Sequence, residues 1–254
     1  MNPTVFLHGG GDDPHSLTAF VGAVKARGSG PLALVYVKQE AEPDEAYSEF
    51  YGDFFADLGL PQSQQAFIAA SPEHPLTADH LSALAPAGLF VCGGLTPRYR
   101  AALTATPDWP AYLRTYQLPY AGSSAGAAIA SARAIVGGWR AVRGAAQRQI
   151  LYEGAAEGLE PLTVLPGLGL VPLAVDVHAS QWGTLSRLVQ AVDLGLVQEG
   201  VAIDENTTLA VDGGLGSVTG SGHVFHARRR AAGVTLSIYV TGEEFTVGAG
   251  AALS

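Results

Sequence analysis

The sequence has one cysteine, Cys92, in 254 residues. An intrachain disulfide is therefore excluded, and no cysteine set exists to hold a metal. Cys92 lies in the apolar run Leu89-Phe90-Val91-Cys92, where a small buried thiol is expected to be an inert part of the core. Lysine is nearly absent, with only Lys25 and Lys38, and 14 basic residues stand against 23 acidic ones for a net charge of −9. An acidic surface repels a phosphate backbone, so nucleic acid is not an expected partner. The tract Arg228-Arg229-Arg230 is the one basic cluster and reads as a solvated turn or strand edge. Long apolar runs are missing too. The longest stretch, Val164 to Val175, is broken by Pro166, Pro172 and several glycines and is too short to span a bilayer. The N-terminus has no basic segment followed by an apolar stretch, so no secretory signal is expected. These absences point to a cytoplasmic protein with no membrane partner.

What is present is apolar residues, at 48% of the chain, and glycine, at 32 residues. The first excludes a disordered chain. The second, without a collagen-like period, implies turns and close backbone approaches. Short apolar runs alternate with longer mixed segments. Thr4–Leu7, Pro31–Val37, Ala66–Ala69 and Gly88–Cys92 read as buried strands, and Pro119–Ala121 leads into a further turn. Between them, His15–Arg27, Glu45–Leu58 and Ala78–Ala85 read as helices, and Ala125–Ala134 has a helical composition. Such alternation predicts a mostly parallel sheet covered by helices on both faces. From about Thr207 the pattern changes to short strands joined by glycine turns, which predicts an antiparallel extension. A single domain over residues 1–254 is expected.

Ligands in parallel α/β sheets bind at the carboxyl ends of the strands. Three glycine turns fall there: Gly9-Gly10-Gly11, Gly93-Gly94 and Gly122-Ser123-Ser124-Ala125-Gly126. The last has the spacing of a nucleophile elbow, in which a strand turns sharply into a helix and leaves a serine hydroxyl exposed. Ser124 is therefore the candidate nucleophile, and the Ala125 amide is a candidate oxyanion donor. A serine needs a base. His178, at the end of a predicted strand, is one candidate, and His8, at the end of the first, competes with it. His74 and His80 lie in proline-flanked, surface-like sequence. A carboxylate to orient the base is expected at Asp204 or Glu205, after the run Val201-Ala202-Ile203.

Taken together, these motifs resemble the serine peptidase family of peptidase E (aspartyl dipeptidase) and cyanophycinase. Four separated elements carry the resemblance in the family's order: the N-terminal glycine triplet, the Gly93-Gly94 pair, the elbow at 122–127, and Asp176-X-His178 with Gly200-X-X-Ile203-Asp204-Glu205-Asn206-Thr207. The resemblance implies a three-layer α/β sandwich like that of class I glutamine amidotransferases. It implies a Ser124–His178–Glu205 triad, an oxyanion hole at Gly94 and Ala125, a short peptide substrate and no cofactor or metal. It also suggests Gly10, Asp176, Trp182 and Arg187 as substrate contacts. A homodimer is compatible with the sequence, which does not set the oligomeric state.

Two departures bear on substrate. Leu95-Thr96 follow Gly94 where the family commonly has Asp or Asn and then Gln, and Trp182 and Thr184 replace two of the arginines that follow the histidine in cyanophycinases. Cyanophycin is therefore a poor match. An N-terminal aspartate, the peptidase E preference, would need a cation, for which Arg98, Arg100 and Arg187 are candidates. A rival reading is an α/β-hydrolase-type esterase using His8-Gly9-Gly10-Gly11 as oxyanion motif and a pair such as Asp204 and His226. A non-catalytic binding protein on the same fold is the other.

Overall fold

The computed structural model describes residues 2–38 and 44–248. Side-chain alternation along its first strands sets the layers, because successive residues of a strand point to opposite faces. In β1 (Val5–His8) and, after α1 (Thr18–Ala26), in β2 (Leu32–Val37), the residues Val5, Leu7, Ala33 and Val35 enter one core while Phe6, Leu32, Leu34 and Tyr36 enter another. Both faces are thus apolar, as strands covered on both sides require.

The chain continues through α2 (Asp44–Asp57), β3 (Gln65–Ala70), α3 (Ala78–Leu84), β4 (Gly88–Val91), α4 (Thr96–Leu103), α5 (Asp108–Tyr116) and β5 (Tyr120–Ser123). The five strands form a parallel array in the order β1-β5-β4-β2-β3. Phe20, Val21 and Val24 of α1 and Tyr51, Phe54 and Phe55 of α2 fill one face. Tyr99 of α4 and Trp109 of α5 fill the other.

Past the serine turn, α6 runs only over Ala125–Ile129, not to Ala134 as its composition suggested. Propensity yields here to tertiary hydrogen bonds. The carbonyls of Ile129 and Ala130 accept the amides of Leu168 and Leu170, at 2.8 and 2.9 Å, which redirects the chain. It then enters β6 (Arg133–Gly137), β7 (Arg140–Arg143), β8 (Ala146–Gln149) and β9 (Thr163–Pro166), where β6 pairs with β9 and β7 with β8.

A second sheet begins at β10 (Ala174–Val177). After α7 (Ala179–Trp182) and α8 (Leu185–Asp193) comes β11 (Glu199–Ile203), parallel to β10. The C-terminal strands are antiparallel, but they divide between the two sheets. β12 (Thr207–Asp212), β13 (Leu215–Gly220) and, after the next pair, β16 (Glu244–Thr246) extend the large sheet beyond β1. In between, β14 (Val224–Arg230) and β15 (Gly233–Tyr239) extend the second sheet from β11. Val175, Val177, Val201 and Ile203 face the core of the large sheet, while Ala174 and Ala202 face Leu188, Ala191 and Val192 of α8. The arginine tract ends β14. Arg228 pairs with Glu199, and Arg229 donates to the Val192 and Asp193 carbonyls. Cys92 is fully buried, and burial pushes its thiol well above its ordinary range. Among the described residues no helix is long and apolar enough to cross a membrane.

Candidate active site

The strand–turn–helix at Ser124 depends on its small neighbours. A Cβ at Gly122 would lie 2.4 Å from the Gly126 backbone, and one at Gly126 would lie 2.4 Å from the Val91 carbonyl oxygen. Glycine at both positions lets β5 turn into α6 while packed against β4. Ser124 itself is forced to φ 50°, ψ −112°, a conformation that costs a non-glycine residue of the order of 1–3 kcal/mol and persists only where surrounding structure imposes it. What imposes it is visible: the Ser124 amide donates to the His8 carbonyl at 3.0 Å, and the Ala128 amide donates to the Ser124 carbonyl at 3.0 Å. The hydroxyl is left at the carboxyl end of β5, beside the Gly93-Gly94 turn that ends β4.

From the ends of the second sheet come the two partners. Ser124 Oγ lies 2.8 Å from His178 Nε2, and His178 Nδ1 lies 2.7 Å from Glu205 Oε1. His178 has left-handed backbone, with φ 55°, and its amide donates to the Gly9 carbonyl at 3.1 Å. Burial pulls the imidazole pKa below its ordinary value, although the Glu205 hydrogen bond and charge oppose that shift. The ring is therefore neutral at neutral pH and able to accept a proton. α7 braces the pair: Trp182 stacks on the His178 ring at 3.9 Å and 10°, and Gln181 Oε1 accepts the Glu205 amide at 3.0 Å.

The adjacent acids have separate tasks. Asp204 accepts the amides of Ser180 and His223, both at 2.9 Å, and so fixes the turn that carries Glu205. The Asp204–His226 pair of the esterase reading does not form, because His226 Nε2 bonds Glu199 at 2.7 Å. His8 is the nearer rival base, but its Nδ1 lies 3.0 Å from Ser123 Oγ, not Ser124. His80 caps α3 through Thr77.

Three of the expected substrate contacts lie inside the protein, against its own groups. Asp176 and Arg187 are both buried and pair with each other, Nε to Oδ2 at 2.8 Å and Nη2 to Oδ1 at 2.6 Å. Arg187 spends a further donor on the Ala155 carbonyl at 2.9 Å. The guanidinium is thus engaged within the protein. Gly10 packs behind the catalytic candidate: a Cβ there would stand 2.2 Å from His178 Cε1. Gly11 similarly makes room for the Asn206 side chain, and the Gly10 carbonyl accepts the Asn206 amide at 2.7 Å. The glycine triplet is a cradle for His178 and the 204–206 turn. Of the other candidate cations, Arg100 donates to the Pro166 carbonyl.

No family model matches the chain. A cyanophycinase of Trichormus variabilis is 32% identical over 180 residues, covering 68% of this chain and 56% of the relative. The chain belongs to the peptidase E and cyanophycinase family. It spans little more than half the length of that relative, 56%. Among solved structures, a peptidase from an acI-B1 Actinobacterium superposes with a TM-score of 0.70 at 20% identity, covering 97% of both chains. A Listeria monocytogenes protein proposed to be a peptidase E superposes with a TM-score of 0.58 at 14% identity, covering 87% of this chain and all of its own. At these identities the two structures show the shared fold.

Within this peptidase E and cyanophycinase-like frame, Ser124 and His178 open on a cavity of about 430 Å³, lined also by Gly94, Leu95, Gly154, Ala155, Glu157, Gly158 and Trp182. Leu95 and Trp182, one residue from each of the two departures noted in the sequence, both lie on its wall. Glu157, which the sequence reading missed, lies there as well. It has left-handed backbone at φ 58°, and its Oε2 accepts the Thr96 amide at 3.0 Å. Burial holds its carboxyl above the ordinary range. Nothing in the local sequence Ala155-Ala156-Glu157-Gly158 announces a site, apart from a lone acid beside a glycine in an apolar stretch. The Gly93 peptide is clamped by two other unanticipated residues. Its amide donates to Tyr51 Oη at 2.9 Å, and its carbonyl accepts Tyr99 Oη at 2.6 Å. Among the described residues no group of three or more His, Cys, Asp or Glu side chains is arranged to hold a metal ion.

Proposed function

We propose that this chain is a serine peptidase that cleaves short peptides through Ser124, His178 and Glu205, and that residues 1–254 act as one peptidase domain. The observation that carries the reading is the continuous relay of 2.8 and 2.7 Å from a strained serine hydroxyl to a carboxylate, opening on a cavity. Ser124 Oγ attacks the scissile carbonyl carbon as its proton passes to His178 Nε2, and the carbonyl π electrons move onto oxygen. Glu205 stabilises the imidazolium through Nδ1. The oxyanion is received by the amides of Gly94 and Ala125, each donor worth about 3 kcal/mol in such sites. The Ala125 amide suits this role because it lies in the first turn of α6, where backbone amides lack intrahelical acceptors. The Tyr99 bond to the Gly93 carbonyl holds the peptide unit that carries the Gly94 amide. Collapse expels the amine, which takes the proton from His178. Water, activated by the same imidazole, then hydrolyses the acyl-serine.

A library of short peptides digested with wild type and with Ser124→Ala, read by mass spectrometry, tests this directly. Cleavage by wild type alone is expected, with at least about 10⁴-fold loss in the variant and no loss of thermal stability. Equal cleavage by the two proteins would end the proposal. So would failure of wild type to take up a serine-directed phosphonate at Ser124.

A further inference from the structure

Among the described residues, the wall of the cavity in front of Ser124 carries one carboxyl group. Of the described residues lining it, Leu95 and Trp182 are apolar, three are glycine, Ala155 is small, and His178 is kept neutral by burial; only Glu157 is ionisable as an anion. The nearby cation does not cancel it. Arg187 acts on Glu157 electrostatically, but its charge is matched by the two-pronged bond to Asp176. With Arg187 matched by Asp176, Glu157 is the group left to pair with a ligand; burial disfavours its charged form, and a cation beside it favours that form. Glu157 is also held in place. Oε2 is fixed by the Thr96 amide at the start of α4, just after the Gly93-Gly94 turn, and the Thr96 side chain also bonds the carboxyl, so the group is held on the cavity wall. The left-handed backbone at Glu157 is a further sign that the fold maintains this acid at some energetic cost.

Resting on the serine peptidase reading, we propose that Glu157 selects substrates with a cationic ammonium or guanidinium group on the acyl side of the scissile bond. A cation there makes a charge-assisted hydrogen bond to the Glu157 carboxylate. An acidic side chain in the same place would meet the Glu157 carboxyl, and the described residues lining the cavity include no lysine or arginine, so an aspartyl preference is not expected of this chain. The cation has two sources, the free α-ammonium of an N-terminal residue or a lysine or arginine side chain, and they differ in what acetylation does.

The test compares kcat/KM for Lys-Ala, norleucyl-Ala and Glu-Ala, each with a free and an acetylated N-terminus, in wild type and Glu157→Gln. The glutamine keeps an oxygen for the Thr96 amide, and melting temperature together with phosphonate labelling of Ser124 verifies the fold. Wild type is expected to favour the cationic over the matched neutral peptide by about 10- to 100-fold, and Glu157→Gln to collapse that ratio to within about threefold of unity. If acetylation abolishes the preference, the α-ammonium is the group read; if acetyl-Lys-Ala retains it, the side chain is. An unchanged ratio in Glu157→Gln, or a preference for Glu-Ala, overturns the inference while leaving the peptidase reading intact. If no peptide is cleaved, calorimetric binding still decides. Lys-Ala binding to Ser124→Ala at least tenfold more tightly than to Ser124→Ala/Glu157→Gln supports the cation site, and equal affinities overturn it.

Discussion

Two serines adjacent in sequence each hydrogen-bond a histidine, and the two pairs have little else in common. Ser124 and His178 sit 2.8 Å apart, face a cavity and end on Glu205. Ser123 and His8 sit 3.0 Å apart, are buried, and end on His8 Nε2, which has no hydrogen-bond partner among the described residues. Burial and the neighbouring His178 pull the His8 imidazole down to about 4, so it is neutral and weakly basic across the physiological range. Ser123 occupies regular strand backbone in register with His8 across β1 and β5, whereas Ser124 is turned out of the sheet at φ 50°. In the proposed mechanism a serine–histidine contact is thus not enough to make a nucleophile. What distinguishes Ser124 is backbone that exposes the hydroxyl and a carboxylate placed to stabilise the ionised base.

The strongest way to sharpen that contrast is to take the carboxylate away. Glu205→Gln should lower kcat by about 10²- to 10⁴-fold, with KM little changed, since Glu205 acts on the base and not on the substrate. The pH profile adds a second readout. The proposed mechanism requires neutral His178, so kcat/KM is expected to fall as pH drops through a pKa below the usual histidine value. The Glu205 charge raises that pKa against burial, so its removal should move the acidic limb to still lower pH. Wild-type kcat in Glu205→Gln would mean that His178 needs no more support than His8 has.

Much of this site was legible in the sequence because its parts are punctuated. Apolar runs ending in glycines mark the strand ends, and the spacing Gly122-X-Ser124-X-Gly126 permits few other uses. His178 and Glu205 stand immediately after strands, where the topology converges. What each glycine faces was not legible, which is why Gly10 was read as a substrate contact when it makes room for the His178 ring. For Arg187 a local signal did exist. It shares the buried face of α8 with Leu188, Ala191 and Val192, and a charged residue on an apolar helical face implies a buried partner. That partner, Asp176, lies on β10, and only the tertiary fold brings the two together. The hairpin β7–β8 was missed because Arg143 and Ala146–Gln149 are exposed and lack an alternating apolar pattern. Glu157 is on an irregular segment where no periodicity applies.

The buried pair can be examined through stability. An imidazole whose pKa falls from 6.5 unfolded to about 4 folded leaves the unfolded chain holding more protons between those values. Its contribution is fully present above pH 6.5 and is lost progressively as pH falls to about 4, a difference of the order of 3 kcal/mol. In His8→Asn the melting temperature should therefore fall less steeply between pH 6.5 and 4 than in wild type. An identical slope would show that His8 is protonated in the folded protein, and the contrast with His178 would narrow.

The smallest expected effect is the most discriminating. Ser123 joins His8 to Tyr51, whose hydroxyl also receives the Gly93 amide. Ser123→Ala removes one buried hydrogen-bonding group from that network, a change of about 1 kcal/mol. If the whole of it reached the reaction through a slackened Gly93-Gly94 turn, kcat would fall by less than tenfold, and KM would barely move. The neighbouring substitution at Ser124 is expected to cost thousands of times more, though the two side chains are identical and adjacent. A Ser123→Ala protein as inactive as Ser124→Ala would show that the backbone turn at 124 is not what selects the nucleophile. Phosphonate labelling of each variant would then identify the serine that reacts.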